Sequence, residues 1–339
     1  MKQVMAGDRI EEKTDTGSVP VNERSLLTFF EKIKSWSWVI ARATLLIGLS
    51  FVILYPIILK LSIAFKDKAD LYDTTVMYIP RNITLEDFKL VIETMDYFKV
   101  LLNSFVLSGS TMLLTTFACA LVGYGFARFS FRGRNILFAL VIFTILVPPQ
   151  TLMVPTYLQY RSFDVFGLIG LFNGGEGIRL IGTYWPFIIS SATGVGLKAG
   201  LFIFIFRQFF RGIPQELEDA ALVDGAGVFR IFFKIMLPNA IPAVITVMLF
   251  SFVWQYNDIY FTTLYLDNPN VISGKLLSAG ATIGHKLSSM TGGGDAVDPS
   301  YLSMLVNTSV LLAIAPLIIL YMLVQRHFVE SVERTGIVG

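Results

Sequence analysis

Few side chains in this sequence could make or break a bond. The two histidines, His285 and His327, stand far apart, and the single cysteine, Cys119, lies inside an apolar run. No Ser/His/Asp pattern has supporting context, and one cysteine excludes an intrachain disulfide. The phosphate-cradling pattern Gly-x-x-x-x-Gly-Lys-Ser/Thr is absent. Gly292-Gly293-Gly294 is followed by Asp295 and lacks the lysine, which suits a flexible external loop. Metal binding, covalent catalysis and ATP hydrolysis by this chain are therefore not expected, and the chain is read as non-catalytic. What remains is binding chemistry. Polar and aromatic groups sit late or early in apolar segments: Asn103, Gln150, Trp254, Tyr256, Asn257, Asp258, Asn307 and Thr308. Intramembrane polar groups mark solute paths by default, with interhelical hydrogen bonding as the competing role for the amides. Trp254 and Tyr256 offer faces suited to the C–H face of a pyranose, or anchors at a membrane interface. Lys198, flanked by Gly194, Gly196 and Gly200, is expected to snorkel to the cytoplasmic face, with a charge in a cavity as the alternative.

These groups need a scaffold, and composition names its class. The chain is 54% hydrophobic and 15% charged, far from the mixture of a water-soluble domain. Apolar windows of about 20 residues recur, each enough to cross a hydrocarbon core. Six such segments fall near 42–65, 100–126, 136–158, 182–206, 240–264 and 302–324. The expected fold is an all-α polytopic membrane protein with six transmembrane helices. Pro148-Pro149 and Pro155 must break the hydrogen-bond ladder of the third, next to a cavity or neighbours that satisfy the freed carbonyls. Residues 1–22 read as a disordered tail without a cleavable signal peptide. Residues 23–40, after the N-cap Asn22, read as an amphipathic helix along the membrane face, with Trp36 and Trp38 at headgroup depth. A six-helix domain over 41–325 and a short tail over 326–339 complete the organisation. Basic residues concentrate on one side: the N-terminal stretch, the tight loop with Arg128, Arg132 and Arg134, and the loop with Arg207, Arg211, Arg230 and Lys234. The positive-inside rule puts both termini and the 207–239 loop in the cytoplasm.

That last loop carries the most informative spacing. From Gly212 to Pro242 a polar interruption separates two apolar segments. Pro214 suits a first helical turn, and Glu216, Glu218 and Asp219 favour a helix N-terminus. Leu217, Ala220 and Ala221 fall on one narrow face, where small residues permit close approach. Asp224-Gly225 signals a turn with Gly225 free to take positive φ. A second helix then carries Val228 to Met236, with Arg230 and Lys234 one turn apart, and Pro238 stops it. The spacing predicts a helix–turn–helix on the water side, which either docks a partner protein or serves as an interfacial connector packed under its own bundle.

Asp219-Ala220-Ala221, three residues, Gly225, nine residues and Ile235-Met236-Leu237-Pro238 resemble the EAA loop of the permease subunits of binding-protein-dependent ABC importers, with Asp219 where that family usually has Glu. Asn103-Ser104, the run Gly123 to Phe129 and Phe131-Arg132-Gly133-Arg134-Asn135 are similar to the second span and basic loop of the carbohydrate-type permeases. So are Val147-Pro148-Pro149-Gln150, Pro155-Thr156-Tyr157, the run Phe206 to Arg211, Tyr256-Asn257-Asp258 with Tyr in place of Trp, and the tail from Gln325. The likeness covers roughly 40–339 and is nearest the second permease subunit of malto-oligosaccharide-like importers.

The resemblance implies a mechanism. A second, related permease pairs with this one in the cell (inner) membrane, and two cytoplasmic ATP-binding subunits dock below. An extracytoplasmic solute-binding protein delivers a sugar or oligosaccharide. This chain binds no cofactor of its own; ATP and Mg belong to the partner ATPase. The coupling residues implied within the loop 211–238 are Glu218, Asp219, Ala220, Ala221, Gly225, Ile235, Leu237 and Pro238, with the acidic groups capping or pairing at the interface. An importer permease for another solute, such as a peptide, phosphate or glycerophosphodiester, shares the loop and is the alternative. An intramembrane enzyme would need paired ionisable or nucleophilic groups at midspan, which the sequence does not offer.

Overall fold

The computed structural model describes residues 21–290, 292 and 297–336, with side chains over 34–290, 292 and 297–325. The expected disordered tail lies outside them except for its last two residues, as do Gly293, Gly294 and the last three residues of the chain. Among the described residues every regular element is helical. The chain divides into two compact units at residues 59 and 60.

Helix α1 (Val21–Ala64) contains Pro56 and runs unbroken through both the amphipathic stretch and the first apolar segment. The helix expected over 23–40 is thus not a separate element. Val39-Ile40-Ala41-Arg42-Ala43-Thr44 holds neither Gly nor Pro, so nothing in the sequence stops the helix there. Its side chains from Lys34 to Leu54 are exposed in the isolated chain.

In the second unit, α2 (Lys68–Tyr72) and α3 (Glu86–Met95) precede the long α4 (Tyr97–Arg128). Its 32 residues span about 48 Å. Ser104, Ser108, Thr111, Thr115, Ala118, Cys119 and Gly123 form a buried stripe of small residues along α4. The hydroxyls of Ser104 and Thr111 return to Val100 O and Leu107 O of their own helix. Small residues let apolar helices pack backbone to backbone. At Gly123 an added Cβ would lie 2.6 Å from the Cβ of Phe206.

Helices α5 (Arg134–Leu146) and α6 (Pro149–Arg161) meet at 104° across Val147-Pro148. The proline break expected in the third segment is there, at Pro148-Pro149. Pro155, expected to break the ladder too, sits inside an intact α6. After the short α7 (Leu168–Phe172), the fourth segment is split into α8 (Trp185–Ala192) and α9 (Ala199–Gly212). The join holds Gly194 at φ 71° and Lys198 at φ 59°. The polar loop gives α10 (Glu216–Val223), α11 (Val228–Ile231), a π-helical turn over Phe232–Met236, and α12 (Leu237–Asn239). The second helix of the loop therefore passes Pro238, which is accepted in the first turn of α12, and ends at Ala240. A bend of 79° leads into α13 (Ile241–Tyr256). There follow α14 (Tyr260–Tyr265), α15 (Ile272–Leu277), α16 (Ala279–Met290) and α17 (Pro299–Gly336).

Among the described residues three helices are each long and apolar enough to cross a membrane, and the pairs α5–α6 and α11/α12–α13 meet the same criterion together, which makes up to five spans. Four buried apolar clusters among the described residues hold the second unit, two of them around α4. One joins α4, α9, the polar loop and α13 through Cys119, Tyr124, Phe202, Phe206, Phe210, Phe232, Met236 and Val247. Towards the other end, Leu107, Tyr160, Phe187 and Tyr265 pack with edge-on rings. Between α4, α13 and α17, Pro316 decides the packing. A proline inside a helix cannot donate to the carbonyl four residues back, and its ring crowds the neighbouring carbonyls. The hydroxyl of Tyr97 donates to the carbonyl so freed, Leu312 O at 2.9 Å, and that of Tyr256 donates to the next one, Ala313 O at 3.0 Å.

Candidate functional site

Helix α10 is tied to the end of α4 by charge. Glu218 and Arg128 are both nearly buried, with Arg128 Nε 3.4 Å from Glu218 Oε2. The same guanidinium donates through Nη2 to Ile213 O at 2.5 Å, just before Pro214. One cation thus fixes both the exit of α9 and the inner face of α10. Glu218 and Ala221, three residues apart, each retain only 8% exposure, and Ala221 joins the core that holds Phe232 and Met236. The face of close approach expected at Leu217, Ala220 and Ala221 is therefore split: Ala221 packs against the chain itself, while Leu217 and Ala220 point outward. Likewise Glu218 pairs within the chain, and Asp219 is the acidic residue left exposed.

The outward side of the loop is apolar with an acidic rim. Leu217, Leu222, Val223 (88% exposed) and Phe229 (74% exposed) lie among the exposed Glu216, Asp219 and Asp224. Gly225 closes α10 at φ 76°, and a Cβ there would meet no atom within 4 Å. Ile235 and Leu237 are half-buried against the core, and Pro238 is exposed. Exposed apolar surface rimmed by polar groups marks a docking face. Arg128, which positions it, had served at the level of sequence only as one more basic residue of a tight loop. An arginine closing a long apolar segment looks the same whether it anchors a span or forms an ion pair.

The expected solute-path residues do not form one cluster of free groups. Asn103 Nδ2 donates to Asn270 O at 3.0 Å, and the adjacent Ser104 Oγ accepts from Ile272 N at 2.7 Å, so this pair holds the turn before α15. Tyr256 is 3% exposed with its hydroxyl on α17, so it packs rather than faces solute. Asp258 is buried and accepts from Thr262 N, Thr262 Oγ1 and Phe261 N, as the cap of α14. Thr308 returns to its own helix at Met304 O. Gln150 and Asn257 are exposed and Trp254 is half-buried. Asn307 Oδ1 accepts from Lys60 Nζ at 2.7 Å.

Lys198 precedes α9, at the end of that helix away from the polar loop, and the first residue of α9, Ala199, offers its carbonyl to Cys119 Sγ on α4 at 3.7 Å. Cys119 lies nine residues, about 14 Å, from Arg128 along α4. The glycines that flank Lys198 allow the chain to break between α8 and α9, and the break carries the lysine with it. Its ammonium stands 5.9 Å from the centroid of the Trp254 ring. Among the described residues no group of three or more His, Cys, Asp or Glu could hold a metal.

Apolar helices broken by proline and glycine, joined to a pinned helical protrusion, define a polytopic transport permease. Residues 119–334 match the family described as binding-protein-dependent transport system inner membrane component, and the chain belongs to it. It is 32% identical over 248 residues to the arabinooligosaccharides transport system permease protein AraQ of Bacillus subtilis (strain 168), covering 72% of this chain and 74% of the relative. It is 26% identical over 291 residues to the polygalacturonan/rhamnogalacturonan transport system permease protein YtcP of the same organism, covering 84% and 93%. In fold it is similar to a chain from the crystal structure of a bacterial ABC transporter involved in the import of the acidic polysaccharide alginate, with a TM-score of 0.69 at 20% identity over 87% of this chain and 98% of that one.

Proposed function

We propose that this chain forms half of the translocation pathway for a sugar or oligosaccharide in an ABC importer of the cell membrane. Six crossings with both termini cytoplasmic agree with the basic-residue distribution and with the fourth segment counted as a split span. The observation that carries the reading is the exposed edge of α10, fixed from behind by the Arg128–Glu218 pair. A rigid element held out by a packed bundle can transmit a push from a partner that changes shape, which is two-state coupling. The partners are two ATP-binding subunits, where ATP and Mg are used, a second related permease, and an extracytoplasmic solute-binding protein. Membrane lipid surrounds the bundle, and no nucleic acid is involved. Relatives named for oligosaccharide transport support the carbohydrate assignment.

The test is copurification in detergent, followed by ATPase assays on the reconstituted complex. Stimulation by a saccharide-loaded binding protein is expected. Stimulation only by peptide, phosphate or glycerophosphodiester ligands would refute the carbohydrate assignment, and failure to capture an ATPase would refute the coupling.

A further inference from the structure

The charges held within the apolar segments do not balance. Apart from Arg42 at the inner edge of the first, they are Lys60, Lys198 and Asp258. Asp258 is satisfied by the backbone and hydroxyl of its own helix cap. Among the described residues neither lysine has a carboxylate within ion-pair distance. Lys60 meets the neutral amide of Asn307, and Lys198 meets the Trp254 ring. An aromatic face attracts an ammonium without neutralising it. Lys198 is exposed in this chain, just before α9 and at the end of that helix away from the polar loop. Ionisable groups within apolar segments face a bundle interior or a water-filled cavity and mark the path of what crosses. Just after α13, Asn257 lies three residues beyond Trp254 and is exposed, with Nδ2 donating to Val253 O and Oδ1 open to a hydroxyl.

We propose that Lys198, held over Trp254, is a carboxylate subsite on the translocation path, and that the solute is an anionic saccharide bearing uronate groups. This rests on the carbohydrate reading above and narrows it. Lys198 would pair with a sugar carboxylate and Asn257 would accept from a ring hydroxyl. Lys60, bonded to Asn307, places a second cation along the same bundle.

The experiment compares uptake of an oligogalacturonate and of its carboxyl-reduced neutral counterpart into vesicles holding the complete importer and its binding protein. The unaltered complex is expected to take up the oligogalacturonate in preference. Losing one partner of a desolvated charge pair should make Lys198→Gln lower that uptake on the order of thirtyfold. Lys198→Arg should restore most of it. Preference for the neutral saccharide, or unchanged oligogalacturonate uptake in Lys198→Gln, would overturn the proposal and leave the carbohydrate reading intact. Loss of the second permease from Lys198→Gln on copurification would assign the lysine to the subunit interface and overturn it as well. Uptake of neither saccharide by the unaltered complex would refute the carbohydrate reading together with this one.

Discussion

A charge pair this well buried matters most when it is broken. Removing one member of a buried ion pair costs about 3–5 kcal/mol, because the other charge stays behind without a partner. Arg128→Ala leaves Glu218 uncompensated and frees Ile213 O, so loss of substrate-stimulated ATPase activity is expected, along with a lowered unfolding temperature in detergent. The exchanged pair Arg128→Glu with Glu218→Arg should recover part of both, which a double-mutant cycle would measure. Tyr97 offers a second test. Tyr97→Phe leaves Leu312 O without its donor opposite Pro316 and is expected to cost about 1–3 kcal/mol. The spacing around Asp219-Ala220-Ala221 made this loop recognisable, yet it could not separate Glu218 from Asp219. Two adjacent carboxylates on a helix differ by about 100° in direction, and only the position of Arg128 on another helix decides which one turns inward.

At the level of elements, the turn after α10 depends on backbone conformation rather than space. Gly225 has φ 76° with nothing near a Cβ, so Gly225→Asn, which tolerates the left-handed region, should keep most coupling. Gly225→Val should cost about 1–2 kcal/mol or more and disorder the docking edge, read as lost ATPase stimulation with membrane insertion intact. On the far side of the second unit, Asp87 of α3 accepts the Tyr301 hydroxyl of α17 at 2.9 Å. Burial pushes its carboxyl above the ordinary value, with the hydrogen bond from Tyr301 opposing. The folded state thus holds this proton more tightly than the unfolded chain does. Its contribution is fully present below the ordinary carboxylate range and is lost as pH rises through the raised value. Asp87→Asn should flatten that fall in unfolding temperature as pH rises above the ordinary carboxylate range. Helical periodicity marked these elements as apolar helices. It did not reveal that α1 passes straight through the expected boundary near residue 40, because an amphipathic stretch and a span share one period.

For the whole molecule, the proposed coupling turns on which side of α10 would meet an ATP-binding subunit. Ala220 is exposed and Ala221 is 8% exposed in the core below the loop. With the assembled importer, a cysteine at Ala220 should crosslink to the ATP-binding subunit, whereas one at Ala221 should not, and the reverse pattern would mean that α10 docks by its other side. What the residues determined unaided is considerable: an all-helical membrane protein, and a polar loop whose fixed spacing over two dozen positions resembles that of the importer permeases. Composition and period carry those facts because each depends on neighbours along the chain. Tertiary structure alone decided that Tyr97 serves the carbonyl freed by Pro316, that Asp258 accepts from the first turn of α14, and that Lys198 lies beside Trp254. Each depends on a partner dozens of residues away, and a one-dimensional pattern records which side chains share a face but never what that face will meet.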